Sequence, residues 1–193
     1  MRNVKQNKSL WILTAFLALI SSLIGVFNPA VYDRVVDRSI MAGVYSQDLT
    51  AIAAALLVII LAVSLKDKDF KKVVVILGLL GFLFYGYGIY AIERIYNSLY
   101  YLYLAIFSLS FYSIIYSVLS FVPDLSSGIK MPSLMRYVSI FFLFFIPVMF
   151  GFLWISELMK LIASAEKIEF LYSVYILDLC FIMPAFVITG YKT

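Results

Sequence analysis

Six apolar stretches, at residues 9–27, 49–65, 73–92, 98–121, 137–156 and 170–189, dominate this chain and restrict what it can fold into. The hydrocarbon core of a bilayer is about 30 Å thick, so a helix rising about 1.5 Å per residue needs roughly 20 apolar residues to cross it. The six stretches have that length or come near it, the second being the shortest. They are continuous and do not alternate, and membrane barrel strands need only about 10 residues each. The pattern therefore predicts an all-α integral membrane bundle of six transmembrane helices, read as a single multi-pass domain over residues 1–193. Composition agrees. Hydrophobic residues make up 64% of the chain and charged residues 13%, against about 25% charged in soluble domains. A water-soluble core of this size cannot hide so much apolar surface.

Charge sets the expected threading. With the N-terminus inside, the inner segments hold Arg2, Lys5, Lys8, Lys66, Lys68, Lys71, Lys72, Lys130, Arg136 and Lys192, and the outer ones hold Arg34, Arg38, Arg94, Lys160 and Lys167. Basic residues concentrate on the cytoplasmic side of membrane proteins, so both termini are expected in the cytoplasm and the protein in the plasma membrane. The first stretch is too long for the apolar region of a signal peptide and lacks a small-residue cleavage site, so it is expected to be retained. The basic residues form short clusters between apolar runs, not one face, which argues against a nucleic-acid partner. The expected partners are the lipid bilayer and either a small solute or another membrane protein.

The connections read as short. The longest, residues 28–48, carries Asp33, Arg34, Asp37 and Arg38 at helical spacing; it is either a short interfacial helix or a solvated loop. A turn-rich break at residues 123–132 connects helices four and five.

The most unusual chemistry is an acid inside the last stretch, YILDLCFIMPAF. Asp178 lies near mid-depth, where an acid costs about 2.5–3.5 kcal/mol. No lysine or arginine falls inside any of the six stretches. Depth matching therefore nominates hydroxyls as partners: Tyr85 and Tyr87 on helix three, and Tyr103, Ser108 and Ser110 on helix four. Together with Asp178 these are the candidate binding residues. Pro184 is expected to interrupt helix six near the acid. A site for a small solute or ion and a plain interhelical hydrogen bond both fit Asp178.

Tyrosines concentrate in helices three and four. Tyr90, Tyr96, Tyr100 and Tyr101 are expected to form an interfacial aromatic belt. Along helix four, Tyr96, Tyr100, Tyr103, Phe107, Ser110, Ser113, Ser117 and Ser120 share one face, which suits either a cavity wall or a close helix seam. Gly78, Gly81, Gly86 and Gly88 suggest close packing of helix three. Glu93, Arg94, Tyr96 and Asn97 make a polar corner where helix three ends.

Catalytic patterns are missing. There is no histidine, which removes the commonest general base and metal ligand. The single cysteine, Cys180, sits in an apolar run. No zinc-protease, phosphate-loop or nucleophile-elbow motif occurs. The chain is expected not to be an enzyme, and no metal or cofactor is expected. At QDLT (residues 47–50), YGYGIY (85–90), NSLYYLYLAIFSLS (97–110) and DLCFIMP (178–184) it resembles an uncharacterised family of prokaryotic multi-pass membrane proteins. That resemblance implies a helical membrane fold and no assigned activity. The favoured expectation is binding or translocation of a small solute or ion around an intramembrane Asp. The alternative is a non-catalytic subunit that packs on a partner through helices three and four.

Overall fold

The computed structural model describes residues 4–33, 35–66, 69–125, 132–164 and 172–192. All regular structure among them is helical, and six helices are long and apolar enough to cross a membrane. This is a multi-pass membrane protein. The chain divides into two compact units, Met1–Gly128 and Ile129–Thr193, with the boundary inside the turn-rich break.

The first unit is a four-helix ring. Its helices are α1 (Val4–Phe27), α2 (Met41–Val63), α3 (Phe70–Ile92) and α4 (Tyr100–Leu125). Helix α1 packs on α2 and α4, and α3 packs on the same two, so each helix has two main neighbours. Small residues make the approach close. Ala15 and Ala18 of α1 are fully buried, as are Ala55 and Ala62 of α2. Without a hydrophobic driving force between helices in lipid, such short side chains let backbones gain dispersion contacts.

The hydroxylated face of α4 forms a seam with α1. Ser110, Ser113 and Ser117 are buried. Trp11 donates its indole N–H to Ser117 Oγ at 2.8 Å, and Thr14 Oγ1 lies 3.3 Å from Ser113 Oγ. At the end of α2, two lysines meet the orphan carbonyls. Lys8 Nζ donates to the Leu65 carbonyl at 3.0 Å and Lys72 Nζ to the Ser64 carbonyl at 2.9 Å. A helix C-terminus carries partial negative charge, so cations are favoured there. Asp69 caps α3, accepting from the Lys72 N–H at 3.5 Å.

The opposite end departs from expectation. The first connection is shorter than predicted. A 3-10 turn at Pro29–Tyr32 leads through further turns to α2, which starts at Met41. Gln47 and Asp48, expected at the loop edge, lie inside the helix. The seam-forming stripe of α2 explains why: Val44, Asp48, Ala51, Ala55, Val58 and Ala62 are all buried and recur every three or four residues. Helix α3 ends at a Schellman-type turn. Ile95 N–H bonds the Tyr90 carbonyl and Arg94 N–H the Ala91 carbonyl, with Arg94 at φ 56° where glycine is usual. Its side chain is exposed, so Arg94 does not bend inward from the end of α3. Gly86 marks a close approach of α3 to α2 that Gly78 and Gly81 do not. A Cβ at Gly86 would overlap the Gln47 amide, whereas Gly78 and Gly81 have nothing within 4 Å.

The second unit contains α5 (Ser133–Ser164), α6 (Tyr172–Leu177) and α7 (Met183–Lys192). A π-helical turn, Asp178–Ile182, joins α6 to α7. The interruption expected from Pro184 takes this form. Pro184 has no N–H to give the carbonyl four residues back, and just before it the Met183 N–H reaches five residues back to the Asp178 carbonyl. Gly190 lets α7 approach α5, since a Cβ there would press on Phe144 at 2.9 Å.

Candidate functional site

Three acids fall within the candidate spans: Glu157 is exposed at the last residue of its span, while Asp48 and Asp178 lie deeper, and the structure treats those two differently. Asp48 is 1% exposed. It sits about two turns into α2, where its register turns it toward α1 and α3. The side facing α1 is Gly25, where a Cβ would overlap Asp48 Oδ2 and the Tyr32 hydroxyl. Glycine is required there because the carboxylate occupies the space that any side chain would take.

Tyrosine hydroxyls hold both oxygens. Tyr32, from the 3-10 turn, donates to Asp48 Oδ2 at 2.7 Å. Tyr90, from the last turn of α3, lies 3.3 Å from Asp48 Oδ1 and also 3.3 Å from the Val44 carbonyl. A directional chain stands behind Tyr32. The Asn97 side-chain N–H donates to the Tyr103 hydroxyl at 3.0 Å, and the Tyr103 hydroxyl donates toward Tyr32 at 3.5 Å. Leu99 N–H bonds Asn97 Oδ1 at 2.9 Å, which fixes which end of the amide faces Tyr103. Each donor in the series points toward the carboxylate. Burial pushes the Tyr32 phenol well above its ordinary pKa, so Tyr32 keeps its proton and remains a donor at ordinary pH.

The rings pack as well as bond. Tyr90 meets Tyr103 nearly edge-on with centroids 5.0 Å apart, and Tyr87 meets Tyr90 at 5.8 Å and 81°. Tyr87 donates to the Ala18 carbonyl at 3.0 Å and lies 2.8 Å from Ser22 Oγ, tying α3 to α1. Beside this cluster lies a cavity of about 220 Å³ lined by Gly25, Pro29, Tyr32, Met41, Ala42 and Tyr45. Among the described residues, no lysine or arginine forms an ion pair with Asp48.

Asp178 is half-buried and opens the π-helical turn. Its described donor is the indole N–H of Trp154 in α5, 2.9 Å from Oδ2. The expected donors were hydroxyls of helices three and four. Trp154 itself stands perpendicular to Tyr175 with centroids 5.2 Å apart. An indole serves the same purpose as a hydroxyl here: it gives one donor to one carboxylate oxygen and brings an apolar body that suits lipid.

The nominated tyrosines and serines separate. Tyr87 and Tyr103 are buried in the Asp48 cluster. Tyr85 is half-buried on α3, and Ser108 is exposed on α4. Ser110 is buried but bonds the Ile106 and Phe107 carbonyls of its own helix, at 2.7 and 2.9 Å. Tyr90, expected in the interfacial belt, is 3% exposed and belongs to the cluster. Tyr96 and Tyr101 do face outward. Sequence reasoning missed Asp48, Tyr32, Tyr90 and Asn97 as a group. The available signal was the α2 stripe, which lands on Asp48 when extended one step back from Ala51.

In comparisons with known proteins, no family model, curated protein or solved structure matches this chain.

Proposed function

We propose that this membrane protein binds a small solute or ion and that Asp48 is the anchor of the site. One observation carries the reading: a carboxylate enclosed in a candidate transmembrane helix, with donors converging on both oxygens and no cation paired with it among the described residues. Burying a carboxylate costs several kcal/mol even after relaxation. Acids kept inside membranes commonly mark ion or solute pathways. A network that only pinned the first connection to α2 would be served by a neutral Asn, which retains an acceptor without the desolvation cost. Expected placement in the plasma membrane with both termini cytoplasmic puts the cluster at the outer end of the four-helix unit, where solutes arrive.

The test is thermal unfolding of the purified protein in detergent. One series varies pH; another varies sodium, potassium and methylammonium chloride against choline chloride. The expected result is that at least one series shifts the Tm of the wild type and that Asp48→Asn loses the shift. Wild-type melting that is flat across both series would overturn the reading, and that outcome needs no variant to fold.

A further inference from the structure

We infer that the ion taken up at Asp48 is a proton, received on Oδ1, with the Tyr90 hydroxyl switching its hydrogen bond to record it. This rests on the reading of Asp48 as an ion site and names the ion.

Space excludes larger candidates from the carboxylate. On the α1 side, a single added methyl at Gly25 would overlap both Asp48 Oδ2 and the Tyr32 hydroxyl. The cavity of about 220 Å³ is bounded by Tyr32 and Gly25, and Asp48 does not line it. A hard cation also needs about six oxygen ligands. Here the nearest oxygens are phenols already donating their protons, and among the described residues no group of three or more acidic or sulfur side chains gathers anywhere. A proton requires neither volume nor a coordination shell.

The two oxygens are not equivalent. If Oδ2 were protonated, its O–H would point at the Tyr32 oxygen, which already accepts from Tyr103. The Tyr32 proton would then lose its acceptor, and the structure gives it no other among the described residues. Leaving a buried hydroxyl unsatisfied costs about 1–3 kcal/mol. Tyr90 differs, because its single proton has two acceptors at the same 3.3 Å: Asp48 Oδ1 and the Val44 carbonyl. With Asp48 ionised, Tyr90 donates to Oδ1. When hydronium delivers a proton, one O–H bond forms on Oδ1 and water is released. That O–H then donates to the Tyr90 oxygen, and the Tyr90 O–H rotates about its C–O bond onto the Val44 carbonyl. Every donor keeps an acceptor in both states, and no other covalent bond changes.

Among the described residues, the titratable groups around Asp48 are all phenols. They are Tyr32 from the 3-10 turn, Tyr87 and Tyr90 from α3, and Tyr103 from α4; on the α1 side the carboxylate lies against Gly25. No described lysine or arginine stands among them to compete with the proton.

Infrared difference spectroscopy of the full chain in lipid, stepped from neutral to acidic pH, tests this. The expected result is a carboxyl C=O band that is lost in Asp48→Asn. A tyrosine C–O mode should shift along with it, and that shift should be lost in Tyr90→Phe but kept in Tyr32→Phe. If Asp48→Asn does not fold, the two tyrosine variants still decide by which of them removes the shift. Absence of the carboxyl band throughout the folded range, or a tyrosine shift that survives Tyr90→Phe, overturns the inference. A salt-dependent Tm without the carboxyl band removes the proton while leaving Asp48 as an ion site. Flat melting in both salt and pH removes both.

Discussion

Asp48 and Asp178 are each an acid in a helix that spans lipid, and they solve the same problem in opposite ways. Asp48 is enclosed by elements brought together from three places: Gly25, the Tyr32 turn and the end of α3. Asp178 remains half-buried with a single described donor, Trp154, and the helix around it loosens into a π turn. Enclosure makes every donor at Asp48 obligatory, because an unsatisfied oxygen there has no water to turn to. Partial exposure makes the donor at Asp178 optional, so its loss is cushioned.

That contrast should grade the response to substitution. The largest effect is expected at Gly25→Val, whose side chain must displace the Asp48 carboxylate or the Tyr32 hydroxyl. A loss of about 3 kcal/mol or more is expected, seen as a large fall in detergent Tm and in folded yield. Gly78→Ala, with nothing within 4 Å, should leave the Tm unchanged or slightly raised, since Ala is the better helix former. Equal losses at the two glycines would break the idea that Gly25 exists to admit the acid.

A middle effect is expected at Tyr32→Phe, which leaves Asp48 Oδ2 without its 2.7 Å donor. The expected cost is about 1–3 kcal/mol, measured by chemical unfolding in mixed micelles. Tyr90→Phe should cost less, because its hydroxyl divides one proton between two acceptors at 3.3 Å.

The smallest effect is expected at Trp154→Phe, which keeps much of the ring packing and removes only the indole N–H to Asp178. Interhelical hydrogen bonds in membranes average about 0.6 kcal/mol, and the same unfolding assay should show a change of that order. A cost at Trp154 matching that at Tyr32 would erase the distinction between an enclosed and a half-open acid.

The site was less legible than the spans. Ser46, Gln47 and Asp48 lower the local hydropathy enough to push the apparent start of α2 past its true first turns. Once α2 is seen to begin at Met41, Asp48 falls into phase with Ala51 and Ala55. Tyr90 stands at a depth that suits an interfacial belt, and depth does not tell which way a ring faces. Tyr87 and Tyr103 were nominated for an acid in helix six, and within the first unit they gather around an acid in α2. The hydroxyl stripe of α4 was visible, but only Trp11 and Thr14 across the gap make it a seam with α1.

Taken alone, the sequence determined that this chain is a helical membrane protein with six spans. The preference for lipid is a sum over about 20 neighbouring side chains, and that sum depends on local composition alone. Tertiary structure alone decided which acid is sealed. The hydroxyl of Tyr32 reaches Asp48 across 16 residues of chain and that of Tyr90 across 42. Burial is a property of what surrounds a group, and those surroundings exist only once the four helices have closed on one another.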